Sequence, residues 1–384
     1  MEKQIYMDYS ATTFVKPEVL KEMIPYFTEY FGNPSSIYNI ARKNKAVISK
    51  ARQKVADVIN ARKDEIFFTN GGSESDNWAL KGAAFANRNK GRHIITTNIE
   101  HHAILNTAKY LEKQGFDVTY LNVDKDGFVN IDELKHAIRE DTIIVSIMFA
   151  NNEIGTIEPI QQIGKFLKEK NILFHTDAVQ AITHVPIDVK EMNIDLLSMS
   201  SHKFYGPKGM GALYIKKGTK IDNLIHGGSQ ERDKRAGTEN VPGIVGMSYA
   251  IELAARDMKI ESERLMELRD KLIDGLLKIP ESKLNGPRTN RLPGNVNVSF
   301  KGVDGEILLV VLDDIGIYAS SGSACSAGSI EPSHVLTSIG LERDMANSAL
   351  RLTLGAETTE DEVDFVIDKI TESVKSLRET KSQE

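Results

Sequence analysis

The chain has a single cysteine, Cys325, in 384 residues. One thiol excludes an intrachain disulfide framework and any zinc site built from several cysteines, and no metal site is expected. It also fits a reducing compartment. A surplus of positive charge is missing too: 48 Lys and Arg face 54 Asp and Glu, a net charge of −6. That balance argues against electrostatic binding of nucleic acid or of an anionic membrane surface. No apolar run is long enough to span a bilayer. The amino-terminal residues show neither an apolar signal region nor arginine-rich transit character, so a cytoplasmic protein is expected. Internal repeats and low-complexity segments are absent as well.

What is present suits a large globular enzyme. Hydrophobic residues make up 41% of the chain, enough for a sizeable core. The length predicts two domains that share an interface. Short β-rich runs at 65–69, 93–97, 117–122, 142–148, 172–175, 196–200 and 211–215 alternate with helical patterns at 73–87, 102–114, 131–139 and 160–169. This alternation predicts an α/β fold with a mostly parallel, doubly wound sheet flanked by helices. In such sheets chemistry collects at the carboxyl ends of the strands. Residues 241–277 read as long amphipathic helical sequence, continuous or with a break, and form a natural hinge. Strands at 294–300 and 316–320 and a helix at 359–377 then predict a smaller α+β domain. The expected division is 14–255 for the large domain and 1–13 with 256–384 for the small one.

Candidate chemistry sits at the strand ends. Phe67-Phe68-Thr69-Asn70-Gly71-Gly72-Ser73 is a strand, a glycine turn and a helix start. Gly71 and Gly72 let backbone N–H groups approach an anion, Ser73 can cap the helix, and the helix N-terminus adds positive charge. The segment reads as a phosphate cradle or as an ordinary capped turn. Asp177 ends the next informative run, as a helix cap or as the fixed anion that a protonated pyridine nitrogen needs. Lys203 ends the following one. Alone it reads as a solvated surface lysine; with Asp177 and a phosphate cradle it becomes a candidate Schiff-base lysine. His101 and His102 fall at another strand end without an H-E-x-x-H pattern. One imidazole there can stack on an aromatic cofactor and move protons, whereas His102 reads as a hydrogen-bonded surface residue. Asn152 and Arg351 add an amide and a guanidinium, and an arginine fork is well matched to an α-carboxylate. Cys325 lies in Ser320-Ser321-Gly322-Ser323-Ala324-Cys325-Ser326-Ala327-Gly328, small residues that pack no core. It is either a small buried hydrophobe or a thiol that travels to a substrate.

Together these segments resemble the NifS/IscS family of cysteine desulfurases, in the class V branch of fold-type I pyridoxal-phosphate enzymes. The match runs nearly end to end. It is carried further by Tyr6-Met7-Asp8-Tyr9-Ser10-Ala11-Thr12-Thr13, Gly32-Asn33-Pro34-Ser35-Ser36, Gly206-Pro207-Lys208-Gly209, Gly227-Gly228-Ser229-Gln230-Glu231-Arg232, Gly237-Thr238-Glu239-Asn240 and Glu331-Pro332-Ser333-His334. The stretch from Cys325 to His334 resembles the group with an extended cysteine loop, here about 320–334.

The resemblance implies a homodimer that converts L-cysteine to L-alanine and takes the sulfur on Cys325 as a persulfide. It implies pyridoxal 5′-phosphate bound covalently at Lys203, with Asp177 on the pyridine nitrogen and Gln180 on the phenolic oxygen. His101 would stack on the ring and act as acid and base. Gly72, Ser73, Ser200 and His202 would hold the phosphate, joined by Thr238 from the other subunit. Asn152 would touch cofactor and substrate, and Arg351 would bind the substrate carboxylate. The sulfur would pass to an acceptor protein such as an iron–sulfur scaffold or a thio-tRNA enzyme. A selenocysteine lyase or another class V aminotransferase or lyase is the alternative within this chemistry. A non-enzymatic sulfur-carrier scaffold is the alternative outside it. The chain departs from the usual family residues at Tyr38, Ala41, Ser229, Ala236, Asn347, Ala349 and Ala356-Glu357. None of these carries a role named above; in the family they lie near substrate entry and the dimer edge.

Overall fold

The structure is a computed structural model that describes residues 4–321 and 332–381. Its strands, in chain order, are β1 (Ile5–Tyr6), β2 (Ile66–Thr69), β3 (His93–Thr97), β4 (Asp117–Leu121), β5 (Thr142–Ser146) and β6 (Leu173–Asp177). Then follow β7 (Leu196–Ser200), β8 (Gly211–Ile215), β9 (Ser282–Leu284), β10 (Asn295–Phe300), β11 (Ile317–Tyr318) and β12 (Ala349–Thr353). Seven of them form one sheet in the order β2-β8-β7-β6-β5-β3-β4. Only β8 runs antiparallel to its neighbours β2 and β7, so the sheet is mostly parallel.

Every residue of β3, β5 and β7 is buried, as expected of strands covered on both faces. Successive side chains point to opposite faces, and the packing on the two faces follows this alternation. Ile94, Ile144, Leu196 and Leu213 pack with Trp78, Leu80, Ile104 and Leu111 of helices Gly72–Asn87 and His102–Lys113. Their neighbours Ile95, Val145, Leu197 and Ala212 pack with Ile48, Val55, Ile163, Leu167 and Ile244 on the other side. The first two of these lie on helix Asn39–Val58, a 20-residue element absent from the sequence expectation.

A second core is built on the three-stranded antiparallel sheet β12-β10-β9 and the parallel pair β1-β11. It buries Ile5, Met7, Val296, Val298, Phe300, Leu350 and Leu352 against Val366 and Ile370 of helix Glu360–Lys381. Helix Val241–Leu276 runs unbroken for 36 residues. Its first turns join one core through Ile244 and Ile251, and its last turns join the other through Leu265, Leu272 and Leu276. Among the described residues no helix is long and apolar enough to cross a membrane.

Candidate active site

Strands β6 and β7 end side by side and aim their last residues into one cavity of about 250 Å³. Asp177 closes β6. Its Oδ1 accepts the Val179 N–H at 2.9 Å, and turns follow instead of an α-helix, so Asp177 is not a helix cap. Burial pushes its carboxyl up to about 6, while the Val179 amide and the Lys203 charge pull it down. The neighbouring Asp76 also lines the cavity and is buried; its Oδ1 has no hydrogen-bond partner and lies 3.8 Å from His175 Nε2. Burial first, and then the charge of Asp177, raise Asp76 well above the carboxylate range. Two such carboxyls do not both ionise readily; of the pair, Asp76 is held more strongly toward its protonated form, and Asp177, at about 6, is the one that yields the anion. His175 fixes the floor, with Nδ1 at 2.8 Å from Ser146 Oγ and Nε2 at 3.0 Å from Ser198 Oγ. Burial drives its pKa down to about 3, so it is neutral.

Ser200 closes β7 and passes into a tight turn, Ser201–Lys203. Lys203 Nζ donates to the carbonyls of Ser10 and Ala11, the latter at 2.9 Å. Gln180 Nε2 donates to the same Ser10 carbonyl at 3.0 Å. His202 Nδ1 lies 3.1 Å from Thr12 Oγ1. Its pKa falls to about 4 through burial and the charges of Lys203 and Lys208. The turn of residues 8–12 thus lies against the strand-end lysine.

The opposite wall is the glycine turn. Helix Gly72–Asn87 begins one residue earlier than the sequence pattern places it, with Gly71 before it at φ +144. Ser73 is therefore already helical and does not cap the helix, which corrects the capping expectation. The first amides of a helix have no intrahelical acceptor, and Gly72 and Ser73 both line the cavity. A Cβ at Gly72 would sit 2.8 Å from Val179 Cγ2, so only glycine leaves this space open.

His101 is the cap of helix His102–Lys113, and its Nδ1 accepts the Ala103 N–H at 3.1 Å. Burial, reinforced by the charge of Lys203, lowers it to about 4. The ring is therefore neutral at neutral pH with its proton on Nε2. His102 departs from the expected hydrogen-bonded surface residue: it is partly buried, its ring centre 4.8 Å from that of His334.

Arg351, on β12, is 1% exposed. Its Nη2 is 2.8 Å from Asp8 Oδ1, and its Nη1 donates to the Asn152 carbonyl at 3.3 Å. The expected site residues thus line one cavity, with two exceptions. Thr238 is exposed, between helices Gln230–Asp233 and Val241–Leu276, and is not part of this lining. Cys325 lies outside the described residues.

The sequence reading missed Asp76 and Asp8. Asp76 stands four residues after Gly72, hence on the same helical face; that spacing was the available signal. Asp8 had none beyond its place in Tyr6–Thr13. A wider groove of about 830 Å³ lies at the amino ends of β5 and β6, lined by Lys90, Lys170 and Lys217. It holds none of these groups.

The residues fit pyridoxal 5′-phosphate: a cradle that a Cβ would fill, a buried anion and a strand-end lysine face one cavity. Comparison with known proteins agrees. The family model for class-V aminotransferases matches residues 5–366. "Cysteine desulfurase IscS" of Clostridium botulinum is 63% identical over 382 residues, covering 99% of this chain and 96% of that one. Its namesake from Methanosarcina thermophila is 61% identical, covering 98% and 93%. Among solved structures, a "NifS-like protein" superposes with a TM-score of 0.92 at 42% identity, covering 97% of this chain and 100% of that one. "SspA in complex with cysteine" gives 0.82 at 40% identity, covering 92% and 99%. The chain belongs to the class-V aminotransferase family, in the branch of the NifS-like and IscS proteins.

Proposed function

We propose that the chain is a pyridoxal-phosphate-dependent cysteine desulfurase that converts L-cysteine to L-alanine and takes the sulfur onto Cys325. The observation that carries this reading is the convergence of Lys203, Asp177 and His101 on one cavity with a buried arginine at its edge. When bound, the cofactor supplies an electron sink that makes the substrate Cα–H acidic.

Lys203 would attach the cofactor through Nζ and then carry a proton at that atom. Asp177, ionised and fixed by the Val179 N–H, would hold the pyridine nitrogen protonated. Gln180 would face the phenolic oxygen. Gly72, Ser73, Ser200 and His202 would bind the phosphate, with Thr238 reaching in from a second subunit. His101 is neutral and fixed as the Nε2–H tautomer by its cap bond, which suits a ring that stacks and exchanges one proton. Asn152 and Arg351 would bind the substrate carboxylate.

The Cys325 thiolate attacks the substrate sulfur. The substrate C–S bond breaks, an S–S bond forms, and a proton replaces sulfur on Cβ. One L-cysteine and one thiol become one L-alanine and one persulfide. An acceptor protein, such as an iron–sulfur scaffold or a thio-tRNA enzyme, would then receive the sulfur.

The reading includes a homodimer in the cytoplasm. Phe27, Phe31 and Ile37 are 59%, 73% and 88% exposed in the single chain, and Thr238 lies outside its own cavity; both favour a second subunit. It also includes a division into residues 14–255 and 1–13 with 256–384, supported by the separate second core. Cys325→Ala is the decisive experiment. It should retain cofactor and bind L-cysteine while sulfide release falls to background. Near-normal release would favour a direct lyase, and loss of the cofactor would assign Cys325 to the fold.

A further inference from the structure

Arg351 takes its charge partner from the far end of the chain, 343 residues away. The Arg351 side chain is 2% exposed and that of Asp8 16%. One oxygen of Asp8 meets Nη2, the Asn152 carbonyl meets Nη1, and the buried Nε–H has no acceptor. A guanidinium offers five N–H donors in one plane, so this arrangement fixes the plane without using its whole edge.

The backbone around Asp8 is fixed as well. Asp8 bridges to Thr353, two residues beyond Arg351 on the same strand. The Thr353 N–H donates to the Met7 carbonyl at 2.7 Å, and the Ala11 N–H to the Asp8 carbonyl at 2.9 Å. The carboxylate is therefore a stationary partner. A second carboxyl senses the Arg351 charge: Glu153 is 1% exposed, burial pushes it up, and its Ser333 hydrogen bond and the Arg351 charge pull it down. A buried guanidinium deprived of its partner is left as an uncompensated charge.

We propose that Asp8 is a positioning residue for carboxylate recognition: it pins the Arg351 guanidinium so that the edge Asp8 leaves open meets the α-carboxylate of an amino acid in the cavity. The proposal rests on the amino-acid desulfurase reading and adds to it a second, negatively charged participant at the carboxylate site. Asp8 does not touch the substrate; it acts through Arg351.

The test measures binding, not turnover. Cofactor-loaded wild type, Asp8→Asn and Asp8→Glu are titrated by calorimetry with L-alanine and with L-alaninamide, which lacks the carboxylate charge. Asp8→Asn should weaken L-alanine by roughly tenfold, the scale of one charge-assisted hydrogen bond, and L-alaninamide by less than about twofold. Asp8→Glu should fall between wild type and Asp8→Asn for L-alanine only. Equal weakening of both ligands would reduce Asp8 to a structural role, and unchanged or tighter L-alanine binding would make it a competitor; either overturns the proposal. If Asp8→Asn does not fold, Asp8→Glu decides alone, because equal changes for the two ligands again overturn it. Sulfide release from L-cysteine by the same wild-type preparation is measured in parallel. Its absence would refute the desulfurase reading while leaving the two-ligand comparison valid.

Discussion

Asp177→Asn separates the cost of a buried charge from its use. Asp177 is 6% exposed, and burial raises its carboxyl from 3.8 to about 6. The unfolded chain releases this proton at the ordinary value, so the folded state loses ground as pH climbs from 3.8 through about 6 and loses no more above that. A displacement of this size corresponds to about 3 kcal/mol at neutral pH. Asparagine keeps the shape, and its Oδ1 can still accept the Val179 N–H, but it carries no charge. Cofactor-free Asp177→Asn should therefore be more stable than cofactor-free wild type at neutral pH, by up to about 3 kcal/mol. The two should nearly converge at about pH 4, where the folded wild type is also neutral. In the loaded protein Asp177 would gain a positive partner at the ring nitrogen, so the order should reverse and turnover should be lost in the variant. Melting followed by circular dichroism across this pH range, with and without cofactor, is the assay. A variant no more stable than wild type at neutral pH, or one whose advantage persists unchanged at acid pH, would refute the reasoning.

Gly72→Ala should weaken cofactor retention by roughly tenfold while leaving the fold intact, because the new methyl meets Val179 Cγ2 at 2.8 Å; equilibrium dialysis with pyridoxal phosphate checks it. His101 should stay neutral in the cofactor-free protein until pH falls toward about 4. Its lowered pKa makes the folded state lose stability as pH falls from 6.5 through that value, and an NMR midpoint near 6.5 would contradict the burial argument.

The architecture was legible because the central strands are apolar on both faces and their ends carry chemistry in chain order. β5 and β6 stood out as runs of Ile, Val, Leu and Phe. Helix Asn39–Val58 was not legible, because its buried face carries Asn44 and Arg52. Both bond to groups outside the helix: Asn44 donates to the Tyr30 and Gly32 carbonyls, and Arg52 pairs with Glu231. The hydrophobic stripe is interrupted in sequence and complete only in space. His101 as a helix cap escaped for a related reason, since Ser, Thr, Asp and Asn are the usual signals. The Asp8–Arg351 pair was illegible on principle: no local pattern joins residues at opposite ends of a chain. The placement of Lys203, Asp177, Asn152 and Gln180 around one cavity could be anticipated, because each ends or follows a strand of the same sheet.

The pairing of β1 with β11 has a consequence for biosynthesis. Ile5 and Tyr6 are made long before their partners, Ile317 and Tyr318. The turn that holds Lys203 and Arg351 therefore stays unanchored until most of the chain has been made, and long-range pairing of this kind is slow. A nascent chain carrying the whole seven-stranded sheet still lacks β12 and Arg351. The cavity cannot gain Arg351 before β12 has been made, so shorter nascent chains lack the guanidinium that lines it.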